Sequence, residues 1–386
     1  MGSTAPTVLI SAGEVSGDEH AARVVAAARE IRPDIRFVGV AGRRMVAAGV
    51  EAIFPAEELA VVGLVEVARH LPALRRAMRK LAAELEGGGI DLCVTVDYPG
   101  FNLRLARKAA RAGVPTLHYI APKVWAWGKG RIGKVRGSIG RLAVIFNFEE
   151  KLWRDAGVDA RWMGHPLLDE PAEALPRPEL ARLCDAERDE RIVGLLPGSR
   201  DQEIRRLLRP MLMAAEELIR TRPDLRFVLP RAPGVDSVRV ATEVARCRAP
   251  VIVLEGRSDA VFAHADAAII ASGTATLQAA LAGIPHVLVY RVSPLTWAVG
   301  KAVVRLDHLG LPNIIAGKTI VPELLQRAAT PTRIAAELGK LLDSRPERER
   351  MRGELSRVRE RLGRPGAARR TAELIIEQLD RAVRRE

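Results

Sequence analysis

Short apolar runs alternate along this chain with stretches whose apolar positions recur every three or four residues. That alternation predicts parallel strands wrapped by helices. In the first half, Thr7–Ser11, Arg36–Val40, Asp91–Val96, Pro115–Ile120 and Leu142–Phe146 read as strands. A second series follows at Ile192–Leu196, Arg226–Leu229, Val251–Leu254, Ala267–Ile270 and His286–Val289. Between the two series, Glu170–Arg188 is rich in Pro, Glu and Arg and has no strand pattern, so it reads as a linker. The expected organisation is α/β: one half over 1–169, a linker over 170–190, a second half over 191–345 and a charge-dense helical tail over 346–386, broken at Gly363-Arg364-Pro365-Gly366. The tail reads either as solvated helices or as a helix crossing back onto the first half. Ligands are expected in a cleft between the halves, at the carboxyl ends of the strands.

Composition narrows the function classes. Of 386 residues, 48% are hydrophobic and 28% charged, enough apolar material for two cores, while only 4% are aromatic, which argues against a base-stacking binder of single strands. Sixty Lys and Arg against 47 Asp and Glu leave a formal charge of +13, a surface that attracts phosphorylated substrates, anionic lipid or nucleic acid without choosing among them. Cys93, Cys184 and Cys247 are scattered, which excludes a disulfide framework and a cysteine zinc site and fits a reducing compartment. The N-terminus has no basic region followed by an apolar run, so no signal peptide is expected. The uncharged stretch Ala267–Tyr290 is long enough to span a bilayer, but Ser272-Gly273-Thr274, Gln278 and Gly283-Ile284-Pro285-His286 interrupt it. It reads as strand, loop, helix, strand, and the chain is expected to be soluble.

Several strand-to-helix turns are built for polar ligands. Ser11-Ala12-Gly13-Glu14-Val15-Ser16-Gly17-Asp18 follows the first strand and leads into a helix expected from Glu19. Its small residues leave backbone N–H groups open to an anion or a sugar hydroxyl. Neither a dinucleotide nor a P-loop fingerprint is present there. A tight turn capped by Ser16 or Asp18 would explain the rest, but not Glu14. Asp97-Tyr98-Pro99-Gly100-Phe101-Asn102 puts a carboxylate at the carboxyl end of a strand, where it can serve as a general base or merely cap the next helix. Gly128–Lys134 matches GxxxxGK, yet Val135 stands where a magnesium-binding hydroxyl belongs and no strand precedes it. As a basic loop, its Lys129 and Arg131 suit a nearby phosphate.

In the second half, Leu196-Pro197-Gly198-Ser199-Arg200 offers backbone donors, the Ser199 hydroxyl and the Arg200 guanidinium to a diphosphate, with Ser199 capping through Gln202 or Glu203 as the plainer alternative. Ser272-Gly273-Thr274-Ala275-Thr276-Leu277-Gln278 repeats the design. Two such seats point to a nucleotide diphosphate. No DxD pair or His/Asp cluster announces a metal, and no cofactor is expected; charge on a leaving diphosphate then falls to Arg200 and the helix dipoles. Finally, Leu64–Leu81 has a helical apolar stripe with Arg69, Arg75, Arg76, Arg79 and Lys80 opposite, preceded by the apolar Val61 and Val62. Core packing explains such a stripe; so does a membrane surface meeting Val61, Val62 and Leu64 beside the arginines.

The motifs Ser11–Asp18, Asp97–Asn102, Pro122-Lys123-Val124-Trp125-Ala126-Trp127, Gly164-His165-Pro166, Leu196–Arg200, Ser272–Thr276 and Leu311-Pro312-Asn313, in that order, resemble the lipid-A-disaccharide synthases. The resemblance runs from about Thr7 to Gln378. It implies two Rossmann-like domains (the GT-B architecture) and a metal-free, inverting glycosyltransferase. The implied reaction joins 2,3-diacylglucosamine from UDP-2,3-diacylglucosamine to the 6′-hydroxyl of 2,3-diacylglucosamine 1-phosphate, releasing UDP. It further implies a cytoplasmic protein, peripheral on the anionic inner membrane of Gram-negative bacteria, and a homodimer exchanging C-terminal segments. By the same resemblance Asp97 is essential and a candidate base, Glu14 shares the acceptor site as the other carboxylate that could fill that role, and Arg200 and Asn313 are functionally important. Two departures stand out: Gln278 replaces a usual Glu, and His308-Leu309-Gly310 precedes Leu311-Pro312-Asn313. Rival readings are another UDP-sugar glycosyltransferase of this architecture acting on a lipid-linked acceptor, and a dinucleotide oxidoreductase, which lacks its fingerprint here. A nucleic-acid module would need a basic recognition helix or exposed aromatics, and no nucleic acid partner is expected.

Overall fold

The computed structural model describes residues 5–59, 64–126, 129–169, 175–187, 190–303 and 306–383. The chain divides into two compact units, 1–170 with 362–386 and 171–361. The first holds a seven-stranded sheet in the order β3-β2-β1-β4-β5-β6-β7. Its strands are β1 (Thr7–Ala12), β2 (Arg36–Ala41), β3 (Glu51–Pro55), β4 (Leu92–Val96), β5 (Thr116–Tyr119), β6 (Arg141–Val144) and β7 (Ala160–Trp162). The second holds a six-stranded sheet in the order β10-β9-β8-β11-β12-β13, from β8 (Arg191–Leu196), β9 (Leu225–Arg231), β10 (Val251–Glu255), β11 (Ala267–Ala271), β12 (His286–Tyr290) and β13 (Glu323–Leu325). Every neighbouring pair in both sheets is parallel.

The central strands are apolar throughout because helices cover both faces of a parallel sheet. β1 and β4 are almost wholly buried, and all ten expected strands form. β3, β7 and β13 are additional, and all three are edge strands. β7 and β13 have only three residues each, and β3 is largely exposed, so none carries a run long enough to read. Ala267–Tyr290 forms β11, the helix Thr274–Ala282 and β12.

The stretch expected as linker contributes a helix, Arg177–Leu183, whose Leu180 packs with Cys184, Ile192, Val228 and Val261 in the second unit's core. The tail divides at the expected break, between Arg361 and Ala367. Arg345–Arg361 buries Met351, Leu355 and Val358 within the second unit, whereas Ala367–Val383 buries Leu374, Ile375 and Leu379 within the first. The Asp169 carboxylate caps that last helix, accepting the N–H groups of Gly366 (2.5 Å), Ala367 (3.3 Å) and Ala368 (2.9 Å).

The basic helix spans Leu64–Glu86. Over its last four turns the apolar stripe is core: Ala77, Leu81 and Leu85 are buried against Phe54, Leu59, Phe101 and Leu105, with Ala73, Leu74 and Met78 packed beside them. Truncating Leu81 would cost about 2–5 kcal/mol. Core packing therefore explains Leu74, Met78 and Leu81. Arg75, Arg76, Arg79 and Lys80 are exposed; Arg76 pairs with Glu58 at 2.9 Å, and Lys80 lies 5.9 Å over the Phe54 ring. Val61 and Val62 lie outside the described residues, as do the side chains of Leu64 and Arg69. Among the described residues no helix is long and apolar enough to cross a membrane.

Candidate active site

In the first unit, parallel pairing puts Ala12 beside Val96 and Val96 beside Tyr119, so the turns after β1, β4 and β5 emerge together. Six non-glycine residues of the described chain have left-handed φ, and three of them sit at this one edge: Asp97 (48°), Tyr98 (46°) and Ile120 (67°). Each such residue costs on the order of 1–3 kcal/mol, and such strain collects at functional sites. Asn102 holds the strained turn. Fully buried, its Nδ2 donates to the carbonyls of Asp97 (2.8 Å), Val96 (2.9 Å) and Ser11 (3.3 Å), while its Oδ1 accepts the Ser11 hydroxyl at 2.8 Å. The Asp97 N–H donates to the Tyr119 carbonyl at 2.9 Å. Asp97 thus projects from a turn tied to β1, β4 and β5. Burial raises its carboxyl above the ordinary range, and the Tyr98 N–H and the Lys123 ammonium pull it partly back.

Gly13 is required by close approach, since a Cβ there would lie 2.4 Å from the Tyr98 ring. The helix expected from Glu19 begins at Val15, with exposed Glu14 in the N-cap position. Asp18 does not cap its own helix; its buried carboxylate accepts the N–H groups of Gly42 (2.8 Å), Arg44 (2.9 Å) and Met45 (3.1 Å), capping the helix Arg43–Ala47 instead. Sequence spacing could not show that partner, which lies on the neighbouring strand's turn.

The turns after β5 and β6 supply an aromatic cluster. The Trp125 ring meets Phe146 and Phe148 edge-on at 6.1 and 5.4 Å, Phe146 stacks on Phe148 at 5.5 Å, and His165 lies 5.2 Å from Phe146. Trp125 Nε1 donates to the buried Glu149 at 2.8 Å. Burial pushes Glu149 up to about 7, the Trp125 bond opposing it, and lowers His20 to about 4 and His165 to about 3. Arg131 is half-buried, and the side chain of Lys129 lies outside the described residues.

In the second unit β8 and β11 are neighbours, with Leu196 opposite Ile270, so the two predicted seats open side by side. At the first, Arg200 is the N-cap of the helix Asp201–Ile219 and is exposed. Glu203 accepts the N–H groups of Ser199 (2.9 Å) and Arg200 (3.2 Å) and lies 3.3 Å from the guanidinium. A carboxylate therefore occupies the donors suited to an anion. Gly198 has φ +116°, and a Cβ on it would stand 2.2 Å from Glu203. At the second seat Gly273 precedes the helix Thr274–Ala282; Ser272, Ala275 and Gln278 are half-buried and Gly273 and Thr274 exposed. Thr276 is fully buried, its hydroxyl donating to the Gly273 carbonyl at 2.7 Å, so it shapes the turn rather than facing a ligand.

Asn313 is also fully buried, and its amide is saturated by the protein. Oδ1 accepts the N–H groups of Ile320 (2.8 Å) and Val321 (2.9 Å), and Nδ2 donates to Glu323 (2.7 Å) and the Val321 carbonyl (2.8 Å). Glu323 in turn accepts the N–H groups of Leu309 (2.9 Å) and Gly310 (3.0 Å). Direct contact of Asn313 with substrate would require breaking those bonds; the geometry makes it the pin of the 309–323 segment. Two residues outside the sequence-based site set, Asn102 and Glu323, thus prove central to its shape. Asn102 lay within a recognised motif; Glu323 sits on an unpredicted edge strand and had no signal. Among the described residues no three His, Cys, Asp or Glu side chains gather as metal ligands would.

Comparison with known proteins is consistent along the whole chain. Among solved structures, a putative UDP-N-acetylglucosamine 2-epimerase from Listeria monocytogenes superposes with a TM-score of 0.66 at 13% identity, covering 98% of each chain. The calicheamicin glycosyltransferase does so with 0.62 at 17% identity, covering 97% of this chain and 98% of that one. Both share the two-unit α/β fold. The lipid-A-disaccharide synthase of Syntrophus aciditrophicus is 44% identical over 370 residues, 96% of this chain and 97% of that protein. That of Geobacter metallireducens is 42% identical over 379 residues, 97% and 98% of the respective chains. The model of the lipid-A-disaccharide synthetase family matches residues 8–377, and by that match and these identities the chain belongs to this family of glycosyltransferases.

Proposed function

We propose that this chain transfers 2,3-diacylglucosamine from UDP-2,3-diacylglucosamine to 2,3-diacylglucosamine 1-phosphate, with the base in its first unit and the nucleotide seat in its second. Asp97 takes the proton of the acceptor 6′-hydroxyl as that oxygen bonds to the donor's anomeric carbon. The bond from that carbon to the diphosphate oxygen breaks, and UDP leaves with the electron pair. Attack opposite the leaving group inverts the centre and gives the β-1,6 linkage. A carboxylate raised above its ordinary range by burial is a stronger proton acceptor, which suits this step. The N–H groups of Ser199 and Arg200, the Arg200 guanidinium and the start of the helix Thr274–Ala282 take up the charge developing on the diphosphate, displacing Glu203 from those donors. Arg75, Arg76 and Arg79, exposed on the basic helix, face anionic headgroups of the cytoplasmic leaflet in this reading.

The observation that carries the proposal is the strained, Asn102-locked turn presenting Asp97 in a chain of this family. Incubation with the two substrates and mass spectrometry of the lipid fraction tests it. The expected product is the disaccharide 1-phosphate, formed with one UDP per linkage. Hydrolysis of the donor without disaccharide would refute it.

A further inference from the structure

The turn after β5 presents a cation that the mechanism above does not use. Lys123 is exposed, between buried Pro122 and buried Val124. The turn is held on both sides: the Val124 N–H donates to the Pro122 carbonyl at 2.7 Å, the Ala126 N–H to the Lys123 carbonyl at 3.0 Å, and the Trp125 indole to Glu149 at 2.8 Å. The Lys123 backbone is therefore fixed while the residue itself stays exposed. Among the described residues it makes no ion pair within 4 Å. The turn leaves β5 just after Tyr119, whose carbonyl accepts the Asp97 N–H at 2.9 Å, so Lys123 lies on the turn at the edge where Asp97 emerges, and its charge acts on Asp97, Glu149 and His165. Burial favours the neutral form of Glu149, so that carboxyl offsets the ammonium only in part near neutral pH.

A monophosphorylated sugar acceptor brings about −1.5 to −2 charges close to the carboxylate that must deprotonate its hydroxyl. Unscreened, that charge would oppose ionisation of Asp97. An unpaired cation on the turn next to Asp97 solves both problems, attracting the phosphate and screening it from the base. Resting on the function proposed above, we propose that Lys123 is the residue of this chain that selects the phosphorylated acceptor, by binding its 1-phosphate.

The test compares two acceptors with the full-length protein in mixed micelles: 2,3-diacylglucosamine 1-phosphate and the same sugar lacking the phosphate. The readout is the ratio of kcat/KM for the two, which a merely structural role would not move. A charge-assisted contact predicts that Lys123→Met lowers this ratio about tenfold to a hundredfold. Lys123→Arg, which keeps the charge, should hold it within about threefold of wild type. Calorimetric UDP binding to each variant shows whether the second unit remains intact. An unchanged ratio in Lys123→Met, an equal loss on both acceptors, or a collapse in Lys123→Arg as deep as in Lys123→Met overturns the proposal. Wild-type protein that forms disaccharide with neither acceptor refutes the functional reading itself, an outcome separate from a wild type that works and a Lys123→Met ratio that stays put.

Discussion

Replacing Asn102 by alanine tests whether the turn carrying the proposed base, Asp97, is held in the way the geometry indicates. The substitution deletes three donor contacts, to Asp97, Val96 and Ser11, and the acceptor for the Ser11 hydroxyl. The two amide hydrogens are shared among the three carbonyls, so at about 1 kcal/mol net for each buried bond the loss is roughly 3 to 4 kcal/mol, and no water can enter a fully buried position cheaply. The left-handed Asp97 and Tyr98 lose their restraint at the same time, so the turn relaxes and the base moves. For a unit of this size each kcal/mol shifts the melting temperature by about 2–4 °C, so a fall on the order of 10 °C is expected. The sequence places four of the five tryptophans (125, 127, 153 and 162) in the first unit, so intrinsic fluorescence follows its transition. Ser11→Ala, which removes one of the four contacts, should cost only about 1 kcal/mol. In steady-state assays Asn102→Ala should lower kcat far more than it raises KM for the donor. A melting shift under about 2 °C together with an undiminished kcat would refute the reasoning.

The other predictions can be checked on the same preparation. Asp97→Asn should lower kcat by about 10²–10⁴-fold while UDP binding by calorimetry persists; in the wild type, activity should fall as pH drops through a value above the ordinary carboxylate range, because the base must be ionised and burial raises it. Arg200→Ala should weaken UDP binding and slow turnover together, with Arg200→Lys restoring only part, since an ammonium lacks the planar fork; a variant matching wild type in both would misplace the diphosphate. Glu149 holds a proton in the folded chain up to about 7 against an ordinary 4.5, so the stability of the first unit should fall between those pH values by on the order of 3 kcal/mol. Glu149→Gln should flatten that slope, and parallel pH profiles for the two proteins would contradict it. Charge reversal at Arg75, Arg76 and Arg79 should weaken sedimentation with anionic vesicles by roughly 1 kcal/mol per residue at low salt; salt-insensitive, unchanged binding would leave that helix with a packing role alone.

The sequence by itself determined ten of the strands, the two α/β halves and the strand-to-helix turns of the candidate site. Buried parallel strands must be apolar along their whole length, and ligand-binding turns must follow them, so both leave a local signature. It determined Asp97 as a carboxylate at a strand's end and Arg200 as a guanidinium before a helix, because those roles depend on residues adjacent in the chain. What surrounds them was decided only by tertiary structure. The partner of Asp18 lies 24–27 residues away. The pin of the Asp97 turn joins Ser11 to Asn102 across 91 residues. The amide of Asn313 proves to be saturated by Ile320, Val321 and Glu323. The basic helix has a face whose apolar period is the same whether it meets a membrane or a core; burial of Ala77, Leu81 and Leu85 assigns its last turns to the core. The division of the tail at Leu362 likewise follows from which core each of its two helices can enter. Hydrogen-bond partners and packing surfaces are set by distance in space, and chain separation carries no trace of them until the sheets have formed.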